Sequence, residues 1–119
     1  MQKDILGLVE RVTLQGKHPE QVTARIDTGA TFSSLDLQLA QQLGVTPGEK
    51  RKLVKSAIGS KERPVVTLRF QLRDKSMEEE FTLADRSTMT YPVLIGQNIL
   101  KKGNFLIDPQ KKWAENEES

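Results

Sequence analysis

A strand-like run that ends in Asp-Thr-Gly-Ala is the feature that most constrains the fold of this chain. Residues 22–26 favour a β-strand, and Asp27 follows them directly. A carboxylate just past a buried strand is costly unless hydrogen bonds or a partner charge hold it. Gly29 lets the backbone turn tightly beside that carboxylate, and Thr28 adds a hydroxyl that donates and accepts hydrogen bonds. The pattern is typical of a catalytic aspartate loop, although a strand that simply ends in a turn has the same local sequence.

A second stretch, in the other half of the chain, favours the catalytic interpretation. Residues 93–100 read Val-Leu-Ile-Gly-Gln-Asn-Ile-Leu. This pattern resembles the segment that follows the active-site loop in retropepsins, and residues 24–36 resemble the retropepsin loop itself. The resemblance implies a mainly β fold, a small closed acid-protease (retropepsin-like) β-barrel with one or two short helices. It also implies an aspartic-type endopeptidase, a hydrolase whose catalytic residue is Asp27.

The chain resembles one retropepsin-like group more closely, the small prokaryotic family often labelled "ATP-dependent zinc protease". Four stretches carry this resemblance: a short opening strand, an Ile-Asp-Thr-Gly-Ala core, a Glu-Arg-Pro-Val step and an apolar-Gly segment that ends near Asp-Pro. They lie here at residues 7–10, 26–30, 62–65 and 94–109. The resemblance therefore covers roughly residues 5–110.

Only one aspartate loop of this kind occurs in the chain, whereas aspartic-site hydrolysis needs two carboxylates that share one proton. The resemblance therefore implies a homodimer in which Asp27 faces Asp27 of a second copy across a two-fold axis. It also implies that Thr28, Gly29 and Ala30 form the active-site loop and lock the dimer. Retroviral enzymes dimerise through a sheet woven from both chain termini. Here further residues follow the predicted last strand, 105–107, so that interface stays an open question.

Two strand-like segments, residues 50–58 and 63–72, flank Gly59 and predict a hairpin with its tip at residues 56–61. In retropepsins the corresponding hairpin is the flap that closes over the substrate. The resemblance assigns flap and substrate-binding roles to five residues: Ser56, Ala57, Ile58, Gly59 and Ser60. A plain surface hairpin is the alternative.

Two short helices are expected to pack on the barrel. Asp36 is suited to cap residues 37–43, and Gly44 to end that helix. A second helix is expected over residues 96–101. The resemblance gives structural support roles to Gly96 and Asn98.

Size and composition bound the remaining possibilities. A chain of 119 residues suits one domain, expected over residues 1–110, with residues 111–119 as a frayed C-terminal tail. The charged start lacks the apolar core of a signal peptide, and no run approaches the ~20 apolar residues of a membrane span. We therefore expect a cytoplasmic protein without a membrane partner. The absence of cysteine excludes disulfides and thiol nucleophiles.

The residues do not support the zinc and ATP of the family label. The single histidine, His18, lies in a turn, and there is neither a His-Glu-x-x-His pattern nor a cysteine. No phosphate-binding Gly-x-x-x-x-Gly-Lys-Ser/Thr loop is present. We therefore expect no metal and no other cofactor. The resemblance implies that any link to ATP comes through a companion ATP-grasp peptide ligase.

Basic residues crowd the predicted hairpin, with Glu62 as the acid among them: Lys50, Arg51, Lys52, Lys55, Lys61 and Arg63. A basic lid over a cleft raises the local concentration of acidic peptides. This charge pattern suggests a preference for substrates rich in Glu or Asp. The alternative is a surface hairpin whose lysines only keep the protein soluble. The acidic run at residues 78–80 also weakens the positive field of the hairpin.

Two other classes of function stay open at this point. A retropepsin-like barrel retained as a catalytically silent binding or regulatory module would use Asp27 to cap its own loop. Nucleic-acid binding has the hairpin cations in its favour, but the formal net charge is only +2 and aromatic residues make up 5% of the chain. We therefore expect peptide or protein partners and no nucleic acid.

Overall fold

The computed structural model describes residues 3–112, which contain nine strands, two short helices and the loops between them. The strands are β1 Ile5–Leu6, β2 Val9–Gln15, β3 Pro19–Ile26, β4 Ser33–Asp36, β5 Arg51–Ser56, β6 Gly59–Leu72, β7 Lys75–Ala84, β8 Val93–Ile95 and β9 Leu106–Ile107. The helices are α1 Leu37–Leu43 and α2 Gln97–Lys102. Neither helix is long and apolar enough to cross a bilayer. Most of the expected frayed tail, residues 113–119, lies outside the described residues.

Six strands close into a barrel, which confirms the mainly β fold predicted from the sequence. Their order is β2-β3-β8-β4-β7-β6, and β6 pairs back onto β2 with Val12 opposite Leu72. The fifth strand, β5, lies outside this ring and pairs with β6 alone. Since β6 has 14 residues, its second half completes the barrel while its first half projects with β5 as a hairpin.

Alternating apolar residues of the barrel strands fill its interior. On β6, Val66, Leu68, Phe70 and Leu72 are buried at every second position, as the two-residue period of a strand requires. The ring of Phe70 packs edge-to-face on Phe81 of β7, with 5.5 Å between the ring centroids. This interior is the rigid frame from which the loops at the barrel's edge project.

Both helix boundaries of α1 follow the sequence signals. Asp36 has extended backbone angles and its carboxylate accepts a hydrogen bond from the Leu39 amide at 3.4 Å. Gly44 ends the helix in the left-handed region, with φ of 74°. The other carboxylate oxygen of Asp36 accepts from the Arg86 amide at 2.7 Å. One buried side chain thus fixes both the start of α1 and the loop that follows β7.

The two ends of the described chain are joined to each other. Strand β1 pairs with β9 in parallel, with Ile5 opposite Leu106. The carboxylate of Glu10, which is 2% exposed, accepts hydrogen bonds from the Gly7 amide at 2.7 Å and from the Lys111 amino group at 3.2 Å. Lys111 also donates to the Ile5 carbonyl at 2.7 Å. This buried ion pair fastens the C-terminal segment against the opening strands.

The tip of the β5–β6 hairpin lies within the predicted residues 56–61. Ser56 pairs with Gly59, so the turn consists of residues 57 and 58 and directly precedes the glycine that flanking strands had singled out. Gly59 has φ of 140°, a value that side chains disfavour, so this glycine still serves the turn from the first position of β6. Ile58 at the tip is 97% exposed.

Candidate active site

Asp27 lies where two parallel strands end at the same edge of the barrel. Ile26 of β3 pairs with Ile95 of β8, and the Asp27 amide donates to the Ile95 carbonyl at 2.9 Å. The Gly29 amide donates to Asp27 Oδ1 at 2.9 Å, while the Ala30 amide donates to the Asp27 carbonyl at 3.2 Å. These bonds hold a half-buried carboxylate in a tight loop with its second oxygen free of hydrogen bonds to other described residues.

Helix α2 supports this loop from behind. The amide of Gln97 donates to the Ala30 carbonyl at 2.8 Å, and its side-chain amide donates to the Thr28 carbonyl at 2.7 Å. A Cβ on Gly96 would come within 2.4 Å of the Phe32 carbonyl oxygen, so only glycine allows this approach. The sequence drew attention to Gly96, whereas the contact made by Gln97 was not foreseen.

A buried serine links the loop to the helix. Ser33, which is 0% exposed, accepts a hydrogen bond from the Gly96 amide at 2.9 Å and donates to Asn98 Oδ1 at 2.8 Å. The Asn98 side-chain amide in turn donates to the Glu80 carbonyl at 3.0 Å. Asn98, for which a support role was predicted, thus contacts both β4 and β7. Nothing in the local sequence distinguished Ser33 from its neighbour Ser34.

Removal of the Ser33 hydroxyl should destabilise the fold around the site. We expect Ser33→Ala to lower the free energy of unfolding by about 1–3 kcal/mol, because a buried amide and a buried amide oxygen lose their partner. Urea unfolding measures this change. Ser34→Ala is the matched control, since no hydrogen bond of the Ser34 hydroxyl occurs among residues 3–112. Equal losses in the two variants would contradict the role given to this network.

A cavity of about 480 Å³ lies between the Asp27 loop, the β5–β6 hairpin and the loop after β7. Its lining comes from three places: the loop residues Gly29, Ala30, Thr31 and Phe32; the hairpin residues Leu53, Val54, Lys55 and Arg63; and Ser34, Thr82, Ala84, Asp85, Arg86, Met89 and Leu94 around them. Residues 57–60 at the tip are not part of this lining. The amino group of Lys52 lies 3.9 Å from the centroid of the Phe32 ring, a cation–π contact between the hairpin and the loop.

Two arginines of the cavity carry positive charge into partly buried positions. The Nε atom of Arg63 is buried and has no hydrogen-bond partner among the described residues. Burial lowers the pKa of the Arg86 guanidinium, Asp36 acts in the opposite direction, and the charge of Arg63 lowers this pKa further. Asp27 is also close enough to act on the pKa of Arg86, raising it. The sequence placed Arg63 among the hairpin cations and gave no signal for Arg86.

Hydrolysis by an aspartic site would require a second acid beside Asp27. Within the described residues, no hydrogen bond joins Asp27 to another carboxylate. Nor do residues 3–112 contain a cluster of three or more His, Cys, Asp or Glu side chains that could hold a metal ion. Thr28 is exposed beside Asp27 and borders a second, shallower cavity of about 370 Å³ with Leu100, Phe105 and Ile107.

Comparisons with known proteins agree with the retropepsin-like resemblance. The model of the RimB-like family, described as retropepsin-like aspartic endopeptidase RimB, matches residues 42–118. A Legionella pneumophila protein of unknown function is 27% identical, with a TM-score of 0.70 over 93% of this chain and 97% of its own. The simian foamy virus protease shares the fold, with 18% identity and a TM-score of 0.57 over 78% of this chain and 91% of its own. Among curated proteins there is no significant match. The zinc-protease label stays unconfirmed.

Proposed function

The chain belongs to the RimB-like family of retropepsin-like aspartic endopeptidases, and from that premise we propose that it hydrolyses peptide bonds as a homodimer. Each copy contributes one catalytic carboxylate, that of Asp27. The observation that carries the proposal is the half-buried Asp27, one of whose carboxylate oxygens is held by the Gly29 amide, in a loop whose residues Gly29 and Ala30 line the cleft. We propose that this enzyme acts in the cytoplasm, where the family resemblance suggests an ATP-grasp ligase as its companion.

The proposed mechanism uses two carboxylates that share one proton. The ionised Asp27 takes a proton from a water molecule as its oxygen attacks the peptide carbonyl carbon. The other Asp27, which is protonated, gives its proton to the carbonyl oxygen, so that a neutral tetrahedral diol forms. Collapse of the diol breaks the C–N bond: the Asp27 that is now protonated gives its proton to the amine nitrogen, and the ionised Asp27 takes a hydroxyl proton from the diol, so the dyad again holds one proton. Because two negative charges about 3 Å apart repel each other strongly, the two carboxylates hold one proton between them.

Support for this mechanism comes from the rigidity of the loop. Asp27 is fixed through its own amide and carboxylate, and the next peptide group is fixed by the Gln97 side chain. General acid–base catalysis depends on such positioning, since the proton must move over a hydrogen-bond distance. The proposed role of Thr28 is to donate across the two-fold axis to the partner loop, because its side chain is exposed beside Asp27.

An apolar surface beside Thr28 is suited to contact the second copy. The cavity that Thr28 borders is lined by the apolar residues Leu100, Phe105 and Ile107 together with Gln97, Lys101 and Asn104. Ile5 and Leu106, paired across β1 and β9, are 45% and 49% exposed. Since these terminal strands pair with each other within one chain, the proposed contact uses side chains and does not require exchange of termini between copies.

A preference for acidic peptides forms part of the proposal. The acidic run on β7, which opposes this preference, is partly neutralised, because Lys50 pairs with Glu80 at 2.7 Å and Lys102 with Glu79 at 3.5 Å. These exposed pairs contribute little to stability, but they reduce the negative field near the hairpin. The remaining hairpin cations then favour the approach of negatively charged substrates.

The second candidate function is a catalytically silent binding or regulatory module. The specific observation in its favour is that no hydrogen bond joins Asp27 to another carboxylate among residues 3–112. A module of this kind would bind peptides in the same cleft as a monomer, with Asp27 serving its own loop.

The dependence of rate on chain concentration separates the two functions. We expect hydrolysis of a peptide library to rise with the square of the chain concentration below the dissociation constant of the dimer, and linearly above it. Sedimentation equilibrium on the same samples should give a matching dissociation constant. Peptide binding without turnover at any concentration, by a monomeric chain, would replace the peptidase with the binding module.

A further inference from the structure

We propose that Arg63 and Arg86 form a binding site for one carboxylate group of the bound peptide. The inference deepens the proposed peptidase function and rests on it, since it assigns the substrate contact to two residues of the same cleft. This site differs from a general attraction by the hairpin lysines. A defined site selects a carboxylate at one position of the peptide, whereas long-range attraction acts on the total charge of the peptide.

The first observation is the unpaired nitrogen of Arg63. This Nε lies buried beside a cavity of about 480 Å³ without a partner among residues 3–112. Buried donors are normally paired, and a charged one is especially costly to leave unpaired. Arg63 projects from β6 directly opposite Lys52 of β5. Lys52 has donors and no acceptor, so it cannot pair with Arg63, and its amino group lies over the Phe32 ring instead.

The second observation is the fixed position of Arg86 on the other side of the cavity. Its amide donates to Asp36, and its Nε donates to the Tyr91 carbonyl at 3.0 Å. The terminal nitrogens of this guanidinium make no hydrogen bond within the described part of the chain. Two guanidinium groups that cannot lose their charge thus line one cavity, and the charge of Arg63 disfavours that of Arg86. A bound anion offsets this repulsion.

The acidic groups nearby do not already fill this role. Both carboxylate oxygens of Asp36 accept from backbone amides, those of Arg86 and Leu39. Asp85 lines the cavity, but its carboxylate accepts from Ser87, and those hydrogen bonds lower its pKa. Asp27 acts on Arg86 through its charge without a hydrogen bond to either arginine in residues 3–112. The two arginines therefore keep donors for a further anion.

The chemistry of the ligand follows from the donors. Arginine holds a carboxylate through two parallel N–H bonds in a fixed geometry, which lysine does not reproduce. Because Gly29 and Ala30 line the same cavity, a carboxylate held there belongs to a peptide that passes the catalytic loop. It can come from a Glu or Asp side chain or from the C-terminus of the peptide, and the two sources are separable by experiment.

Matched peptides test the site. One pair, blocked at both ends, carries Glu or Gln at a single position that is scanned along the sequence. The other pair ends in a free carboxylate or in an amide. We expect Arg63→Gln and Arg86→Gln to lower kcat/KM roughly ten- to hundredfold for the carboxylate member of one pair and to spare its neutral partner. The pair affected identifies the source of the carboxylate. Equal losses on both members of both pairs would overturn the proposal.

Arg51→Gln is the matched control, because it removes a guanidinium from an exposed position of the same hairpin outside the cavity. It should reduce kcat/KM only slightly, with a similar factor for charged and neutral peptides. A selectivity loss in Arg51→Gln as large as that in Arg63→Gln would show that the hairpin charge as a whole sets the preference.

A stability measurement keeps the test independent of turnover and of variants that fold poorly. Arg63→Met should raise the melting temperature of the free protein, because it removes a buried unpaired donor, and should abolish the stabilisation that glutarate gives the wild type.

Calorimetric binding of the Glu and Gln peptides to Asp27→Asn protein separates the carboxylate site from the peptidase function. Selective binding of the Glu peptide or of the free-carboxylate peptide there, without any peptidase activity in the wild type, would sink the peptidase and leave the carboxylate site standing. If Asp27→Asn protein binds the charged and neutral peptides equally while the wild type keeps normal peptidase activity, the carboxylate site is refuted and the peptidase function stands.

Discussion

Replacement of Asp27 by asparagine is expected to lower kcat by on the order of 10³–10⁴ while the chain keeps its fold. Asparagine retains an oxygen that accepts from the Gly29 amide, so the loop contact at 2.9 Å survives. It neither takes a proton from water nor gives one to a carbonyl oxygen, so neither half of the dyad works. Initial rates on a peptide library measure the loss, and circular dichroism with thermal unfolding checks the fold.

Asp74→Asn is the matched control, since it makes the same change at an exposed residue in the turn between β6 and β7. Asp74→Asn should leave the rate and the stability unchanged.

Mixtures of wild-type and Asp27→Asn chains give a sharper test, because a dimer of one wild-type chain and one Asp27→Asn chain lacks a complete dyad. When the two kinds of chain exchange freely, activity per total chain should fall as the square of the wild-type fraction. A linear fall would mean that each chain works alone and would refute the shared dyad.

The parts of the fold that the sequence predicted are those set by local chemistry. Asp36 and Gly44 bound α1 because capping depends on a side chain and a backbone conformation within a few residues. The approach of Asp27 to Gly29 is likewise contained in three consecutive residues. Gly96 was identified by resemblance, and the Phe32 carbonyl that would meet its Cβ gives the physical reason.

The parts that the sequence did not predict depend on contacts between distant residues. Ser33 and Asn98 are 65 positions apart, and Glu10 and Lys111 are 101 apart. A serine in the Ser-Ser-Leu-Asp strand β4 looks like an ordinary polar position until its partners are known. The exact turn within the predicted hairpin tip also depended on pairing, because Ser56 pairs with Gly59 and this register places the turn at residues 57 and 58.

The same limitation applied to the candidate site. The hairpin cations were visible as a cluster, but the sequence could not separate those that face solvent from Arg63, whose Nε is buried. Arg86 lies in a loop, and only closure of the barrel brings it to the cavity that Arg63 lines. Composition therefore predicted the sign of the charge near the cleft, and the fold determined which charges a ligand can contact.

The largest effect on stability is expected at the buried ion pair that joins the two ends of the described chain. We expect Lys111→Met to lower the free energy of unfolding by about 3 kcal/mol, because it leaves the Glu10 carboxylate buried without its counter-charge. The Glu10 side chain is 3% exposed and that of Lys111 is 18% exposed, so solvent screens the pair weakly. Urea unfolding measures the loss, and Lys112→Met is the matched control at the neighbouring exposed position.

The double variant decides whether charge is the cause. Glu10→Gln keeps an oxygen for the Gly7 amide and removes the buried charge, so adding it to Lys111→Met should recover most of the lost stability. If the two losses simply add, the packing of the lysine stem explains the effect and the ion pair contributes little. The pair also bears on the site, because the Leu8 carbonyl between Gly7 and β2 accepts from the Ile26 amide at 2.8 Å. Loss of the Glu10–Lys111 ion pair should therefore lower peptidase activity together with stability, since Ile26 directly precedes Asp27.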